Sequence, residues 1–94
     1  MNLTVHINDL HGSQMAAKIT GNFTIDGHQF RFTAIAFGRI GGQNIGAKIS
    51  KDTERALENL GYDTDEVIMS LQSCLIKGDM TLPEGLKKES FADD

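Results

Sequence analysis

The dipeptide Asp26-Gly27 sits between two segments of alternating character, and this arrangement restricts the fold more than any other feature of the chain. Asp-Gly suits the two-residue type I′ turn, whose central residues both need positive φ, and the flanks are rich in Phe, Ile and Thr. The spacing predicts a long β-hairpin over residues 15–37. A two-residue turn also sets the pairing: Ile25 faces His28, Phe23 faces Phe30, Gly21 faces Phe32, Ile19 faces Ala34 and Ala17 faces Ala36. Side chains two apart share a face, so these positions form the core side. Phe32 then lies opposite Gly21, where a ring can cover bare mid-strand backbone. The other side pairs Thr24 with Gln29, Asn22 with Arg31 and Thr20 with Thr33, which suits water. It turns apolar at its far end, where Lys18 meets Ile35 and Ala16 meets Phe37. A β-bulge near Ala34 would swing Ile35 and Phe37 inward, and without one they face solvent.

The remaining elements follow from changes of period. Leu3, Val5 and Ile7 alternate with Thr4, His6 and Asn8 to give a first strand, and Asp9–Ser13 supply turn chemistry. After Phe37 the run from Gly38 to Asn44 is too glycine-rich for regular structure, and Ile45, Ala47 and Ile49 alternate again as a short fourth strand. Ser50 then fits an N-cap, Asp52 and Glu54 suit the positive end of a helix dipole, and Ala56, Leu57 and Leu60 form a stripe ending at Gly61. Asp63 caps a second helix, Glu66 completes a capping box, Tyr62 is placed to staple against Val67, and Lys77-Gly78 close the helix. The expectation is an α+β fold: an antiparallel sheet of about four strands, with helices over about 51–60 and 64–77 covering one face. Thr81-Leu-Pro-Glu84 reads as the start of a marginal third helix.

Ninety-four residues with 39% hydrophobic side chains suit one domain, expected over residues 1–90 with a frayed acidic tail at 91–94. A chain of this size buries only about two-thirds of its unfolded surface, too little for a second core. The net charge of −4 disfavours a nonspecific nucleic-acid binder that neutralises many phosphates. No apolar run approaches the roughly 20 residues of a membrane span, and the N-terminus lacks the basic and apolar regions of a signal peptide, so a cytoplasmic location is expected. The single Cys74 excludes an intramolecular disulfide and a cysteine-based zinc site.

Chemistry-bearing clusters are few. The glycine-rich loop with Lys48 beyond it invites a phosphate site, yet a P-loop needs Gly-Lys-Ser/Thr opening a helix, whereas Gly46-Ala47-Lys48-Ile49 reads as strand. His6, His11 and His28 fall on a polar strand face, in a turn and beside the hairpin turn, a spacing that predicts no metal. Cys74 lies in the apolar stripe of the second helix with Val67, Ile68, Leu71 and Leu75, as a small hydrophobe rather than a nucleophile. No catalytic constellation and no cofactor are expected.

Two apolar surpluses remain. Met69 and Ile76 project about 180–200° from the core stripe of the second helix, and Ile35 and Phe37 end the wet face of the hairpin. Tail residues Leu82, Leu86 and Phe91 offer one covering for Met69 and Ile76. A partner, most simply a second copy in a homodimer, offers another.

The run from Ala56 to Asp63, with Val67 and Leu71 after it, resembles the helix, Gly-Tyr turn and helix of ubiquitin-associated-type three-helix modules. The resemblance covers about a quarter of the chain. Those modules have a third helix and no sheet, and a glycine C-cap followed by an aromatic staple accounts for the shared pattern, so no function is taken from it.

The functional expectation is a small non-enzymatic protein-binding module. Chains of this size and make are common among phage and mobile-element accessory proteins, including anti-CRISPR-like inhibitors of host defence nucleases. On that reading Asp63, Asp65 and Glu66 would enter the basic nucleic-acid channel of a nuclease or nucleoprotein complex. Ile35, Phe37, Met69, Ile76 and the loop residues Arg39, Gln43 and Asn44 would supply further contacts. The alternatives are a nucleic-acid binder using Lys18, Arg31 and Arg39 on the sheet face, disfavoured for want of exposed stacking aromatics, and a small enzyme or ligand-binding protein with a site at the Gly38–Gly46 loop.

Overall fold

The computed structural model describes residues 2–12, 16–37 and 45–82. Four strands, β1 (Leu3–Gly12), β2 (Ala16–Ile25), β3 (His28–Phe37) and β4 (Ile45–Lys48), form one antiparallel sheet in the order β1-β2-β3-β4. Two helices, α1 (Lys51–Asn59) and α2 (Thr64–Lys77), follow and pack on one face. The central hairpin has the expected register at every position from Ile25–His28 to Ala16–Phe37. Asp26 and Gly27 have φ of 47° and 89°, the two positive values a type I′ turn requires.

Alternation sorts the sheet into two faces. Val5, Ile7, Ala17, Ile19, Phe23, Ile25, Phe32, Ala34, Ala36, Ile45 and Ala47 are buried, and they enclose Leu57 of α1 with Val67, Leu71 and Leu75 of α2 in one core. Phe23 packs tilted against Phe30 and Phe32, with centroids 5.6 and 6.4 Å apart. Phe32 lies over Gly21 as expected: a Cβ built on that glycine would meet two atoms of the ring at 2.8 and 2.9 Å.

The caps explain where the helices begin and end. The Ser50 Oγ accepts from the Thr53 N–H at 3.1 Å. The Asp63 carboxylate accepts from the Asp65 N–H at 3.0 Å, so it satisfies the second helical amide rather than the third that a capping box engages. Gly78, with φ of 74°, ends α2 in a Schellman arrangement: the Asp79 N–H donates to the Cys74 carbonyl at 2.9 Å and the Gly78 N–H to the Leu75 carbonyl at 3.4 Å.

The structure refines the sequence reading at several further points. The first strand does not stop at Asn8. It continues to Gly12, with a register shift between Ile7 and Asp9 that leaves Asn8 as the extra residue of a bulge. Ten-residue β2 offers a full-length partner, and pairing with it holds the turn-forming Asp9–Gly12 segment extended. Of the two arrangements open to Ile35 and Phe37, the structure has the one without a bulge, as β2 and β3 pair without interruption. Leu60 belongs to the cap of α1 rather than to its apolar stripe and is 45% exposed. Thr81 is extended, and the Pro83-Glu84 part of the Thr81–Glu84 expectation lies outside the described residues. Thr81 makes a parallel bridge to His6, with the Thr81 N–H donating to the Val5 carbonyl and the Ile7 N–H donating to the Thr81 carbonyl, both at 2.8 Å. The expectations for Gly38–Asn44 and for Pro83–Asp94, including the 91–94 tail, lie outside the described residues.

Thr81 thus covers part of the outer edge of β1. At the opposite edge the Ala47 N–H of β4 donates to the Gln72 side-chain oxygen of α2 at 3.0 Å. An unpaired edge is a template for another strand, and here each edge is partly occupied from within the chain.

Candidate functional site

Because both helices lie on one side, no described element covers the other face of the sheet, and the registers arrange it in cross-strand rows. His6, Asn22 and Arg31 form one row. Asp9, Thr20, Thr33 and Lys48 form the next, and His11, Lys18, Ile35 and Gly46 a third. Ala16 and Phe37 end the face. Successive rows are about 7 Å apart and strands about 4.8 Å apart, so the face runs about 20 Å along β3 from Arg31 to Phe37. Thr20, Arg31, Thr33, Lys48 and Ser50 line a shallow bowl of about 420 Å³ on it.

Charge divides between the two layers. Lys18, Arg31 and Lys48 stand on the bare face with a single carboxylate, Asp9, which pairs with His11 at 2.6 Å. Among the described residues no carboxylate lies within ion-pair distance of Lys18, Arg31 or Lys48. From Lys51 to Asp79 the balance reverses, with seven acidic against three basic side chains, a net charge of −4.

The residues singled out from the sequence fall in separate places. Ile35 and Phe37, 41% and 56% exposed, are together on the bare face. Met69, 67% exposed, is on α2, across the sheet from them, so these apolar side chains do not form one patch. Ile76 is half-buried and packs against the core. The segment after α2 returns along β1 and adds Met80 and Leu82 to the same partly buried shell, which the helical wheel alone did not include. Asp63, Asp65 and Glu66 are exposed at the start of α2, where the first is the cap and all three complement the helix dipole. Arg39, Gln43 and Asn44 lie outside the described residues.

Two features had weak sequence signals. Lys48 was noticeable only as a failed P-loop lysine, and its place beside Thr33 and Arg31 follows from the β3–β4 register. Asp26, chosen for its turn propensity, is also a junction. Its carboxylate accepts from the Tyr62 hydroxyl and, at 3.1 Å, from the Asn2 N–H, while its own N–H donates to the Asn2 carbonyl at 3.0 Å. The Tyr62 bond first, and the Asn2 amide second, hold the Asp26 carboxyl below its ordinary range, and the same bond raises the Tyr62 phenol. Burial first, then nearby Asp79, pushes the Cys74 thiol up, which disfavours the thiolate.

Among the described residues no three His, Cys, Asp or Glu side chains gather to hold a metal ion. Nor is any described helix long and apolar enough to cross a membrane. No protein-family model, no curated protein and no solved structure matches the chain.

Proposed function

We propose that the chain is a non-enzymatic protein-binding module that acts by occupying the surface of another macromolecule with its acidic helical layer. The observation that carries this reading is the division of charge: seven acidic side chains against three basic ones between Lys51 and Asp79, behind a sheet whose open face is basic. Such an asymmetric field steers the acidic side toward a cationic groove, and a nucleic-acid channel of a nuclease or nucleoprotein complex has that chemistry. Asp65 and Glu66 are the exposed charges offered, while Asp63 holds the helix cap. This makes the chain an inhibitor of the kind carried by phages and mobile elements against host defence nucleases, working in the cytoplasm. Self-association fits the same reading through Met69 on the helical side.

The test is competition. The chain is added to host nucleoprotein complexes and displacement of labelled nucleic acid is measured for wild type and for the Asp65→Arg, Glu66→Arg double variant. Wild type should displace the nucleic acid and the variant should not, with matching far-ultraviolet circular dichroism showing that both are folded. Equal displacement by the two proteins rules the acidic layer out.

A further inference from the structure

The face opposite the acidic layer has its own recognition chemistry. Ile35 stands between Lys18 on one side and Gly46 on the other, and a Cβ built on Gly46 would meet nothing within 4 Å. The missing side chain leaves open space over the backbone beside Ile35, one row from Phe37. The cations Lys18 and Lys48 flank this apolar end, and Arg31 stands beyond Lys48, none of them with a carboxylate partner among the described residues. An apolar seat bordered by unpaired cations complements a ligand that is itself apolar in the middle and anionic around it.

We propose that the outer face of the sheet docks an acidic protein segment carrying an apolar side chain. That side chain lies over the bare Gly46 backbone against Ile35 and Phe37, and the segment's carboxylates meet Lys18, Arg31 and Lys48. The segment lies across the face rather than adding at an edge, since Thr81 and Gln72 already take edge groups of β1 and β4. Nucleic acid is the weaker occupant. Among the described residues the face has three lysine or arginine side chains and one exposed large aromatic, Phe37, and Ile35 offers nothing to a phosphate. A second copy of the chain is weaker too, because its acidic surface is on the far side of the sheet, and basic face on acidic layer is a head-to-tail contact that propagates instead of closing. The surface is distinct from the acidic layer, so either site can fail its test without the other.

The experiment selects random displayed peptides on the immobilised full-length chain and maps the enriched peptide by amide chemical shifts on the labelled chain. Selected sequences should combine Asp or Glu with an apolar residue, and shifts should centre on Lys18, Ile35, Phe37 and Lys48. Gly46→Ile, which covers the open backbone with a residue suited to strands, and the Arg31→Glu, Lys48→Glu pair should each weaken binding about tenfold or more, with the fold retained. Enrichment of basic peptides, shifts centred on α2, or unchanged affinity in Gly46→Ile overturns the proposal. So does tighter binding of an oligothymidylate than of any selected peptide, or a sedimentation coefficient that climbs with concentration for the wild-type chain and no longer does in Gly46→Ile.

Discussion

Gly21→Ala tests the packing on which the register depends. The new methyl would lie 2.4 Å from the His6 carbonyl oxygen and 2.8 and 2.9 Å from Cε1 and Cζ of Phe32. Ordinary contacts begin near 3.4 Å, so about 1 Å of movement is needed, and the first obstacle is backbone of the neighbouring strand, which no rotamer change relieves. Overpacking of this sort costs about 1–3 kcal/mol. Replacing a mid-strand glycine returns about 0.5–1 kcal/mol through the unfolded chain. Because backbone is the obstacle the upper half of that cost applies, and the balance is a loss of about 1–2.5 kcal/mol, equivalent to about 4–20 °C in Tm for a domain this small. Gly46→Ala is the matched control, with open space at its Cβ and only the gain, and it should stabilise by about 0.5–1 kcal/mol. Urea unfolding followed by circular dichroism reads both as midpoint shifts of opposite sign at unchanged slope. Adding Phe32→Leu to Gly21→Ala should recover part of the loss and not all of it, because the His6 carbonyl stays in place. A Gly21→Ala protein as stable as wild type, or full recovery in the double variant, would refute this account of the hairpin.

Three further outcomes follow from the same contacts. Gln72→Ala removes the acceptor for the half-buried Ala47 N–H and should cost about 1 kcal/mol, with faster aggregation on heating as the β4 edge opens; thermal scans with light scattering check both. Tyr62→Phe removes the bond to Asp26. Since the Asp26 carboxyl is lowered, its contribution is present above the ordinary carboxylate range and lost as pH falls through the folded value. Since the Tyr62 phenol is raised, its contribution is present below the ordinary phenol range and lost as pH rises through the folded value. The stability gap between wild type and Tyr62→Phe should therefore be widest around neutrality and narrow at both extremes, and a gap constant with pH in denaturant titrations would contradict it. Cys74, half-buried and with its thiol raised, should react with a disulfide reagent more slowly in the folded chain than in urea, and equal rates would contradict that placement.

A two-residue turn and a period of two are local properties, and for that reason the sequence by itself determined the hairpin, its register and its inner and outer residues. The two helices were legible for the same reason, through Ser50, Asp63 and Gly78 acting on their own first and last turns. What lay between partners distant in sequence was decided by tertiary structure. β1 extends past its turn-like residues because β2 is there to pair with it, at the expense of a bulge at Asn8. Thr81 is extended because Val5 and Ile7 present edge groups that pair with its backbone, and Ile76 is half-buried because it packs against the core. The candidate surfaces follow the same division. The exposure of Ile35 and Phe37 follows from parity, whereas the grouping of Lys18, Arg31 and Lys48 around the bare Gly46 depends on β4 joining β3. Hydrogen bonds between strands place side chains side by side that no window along the chain brings together.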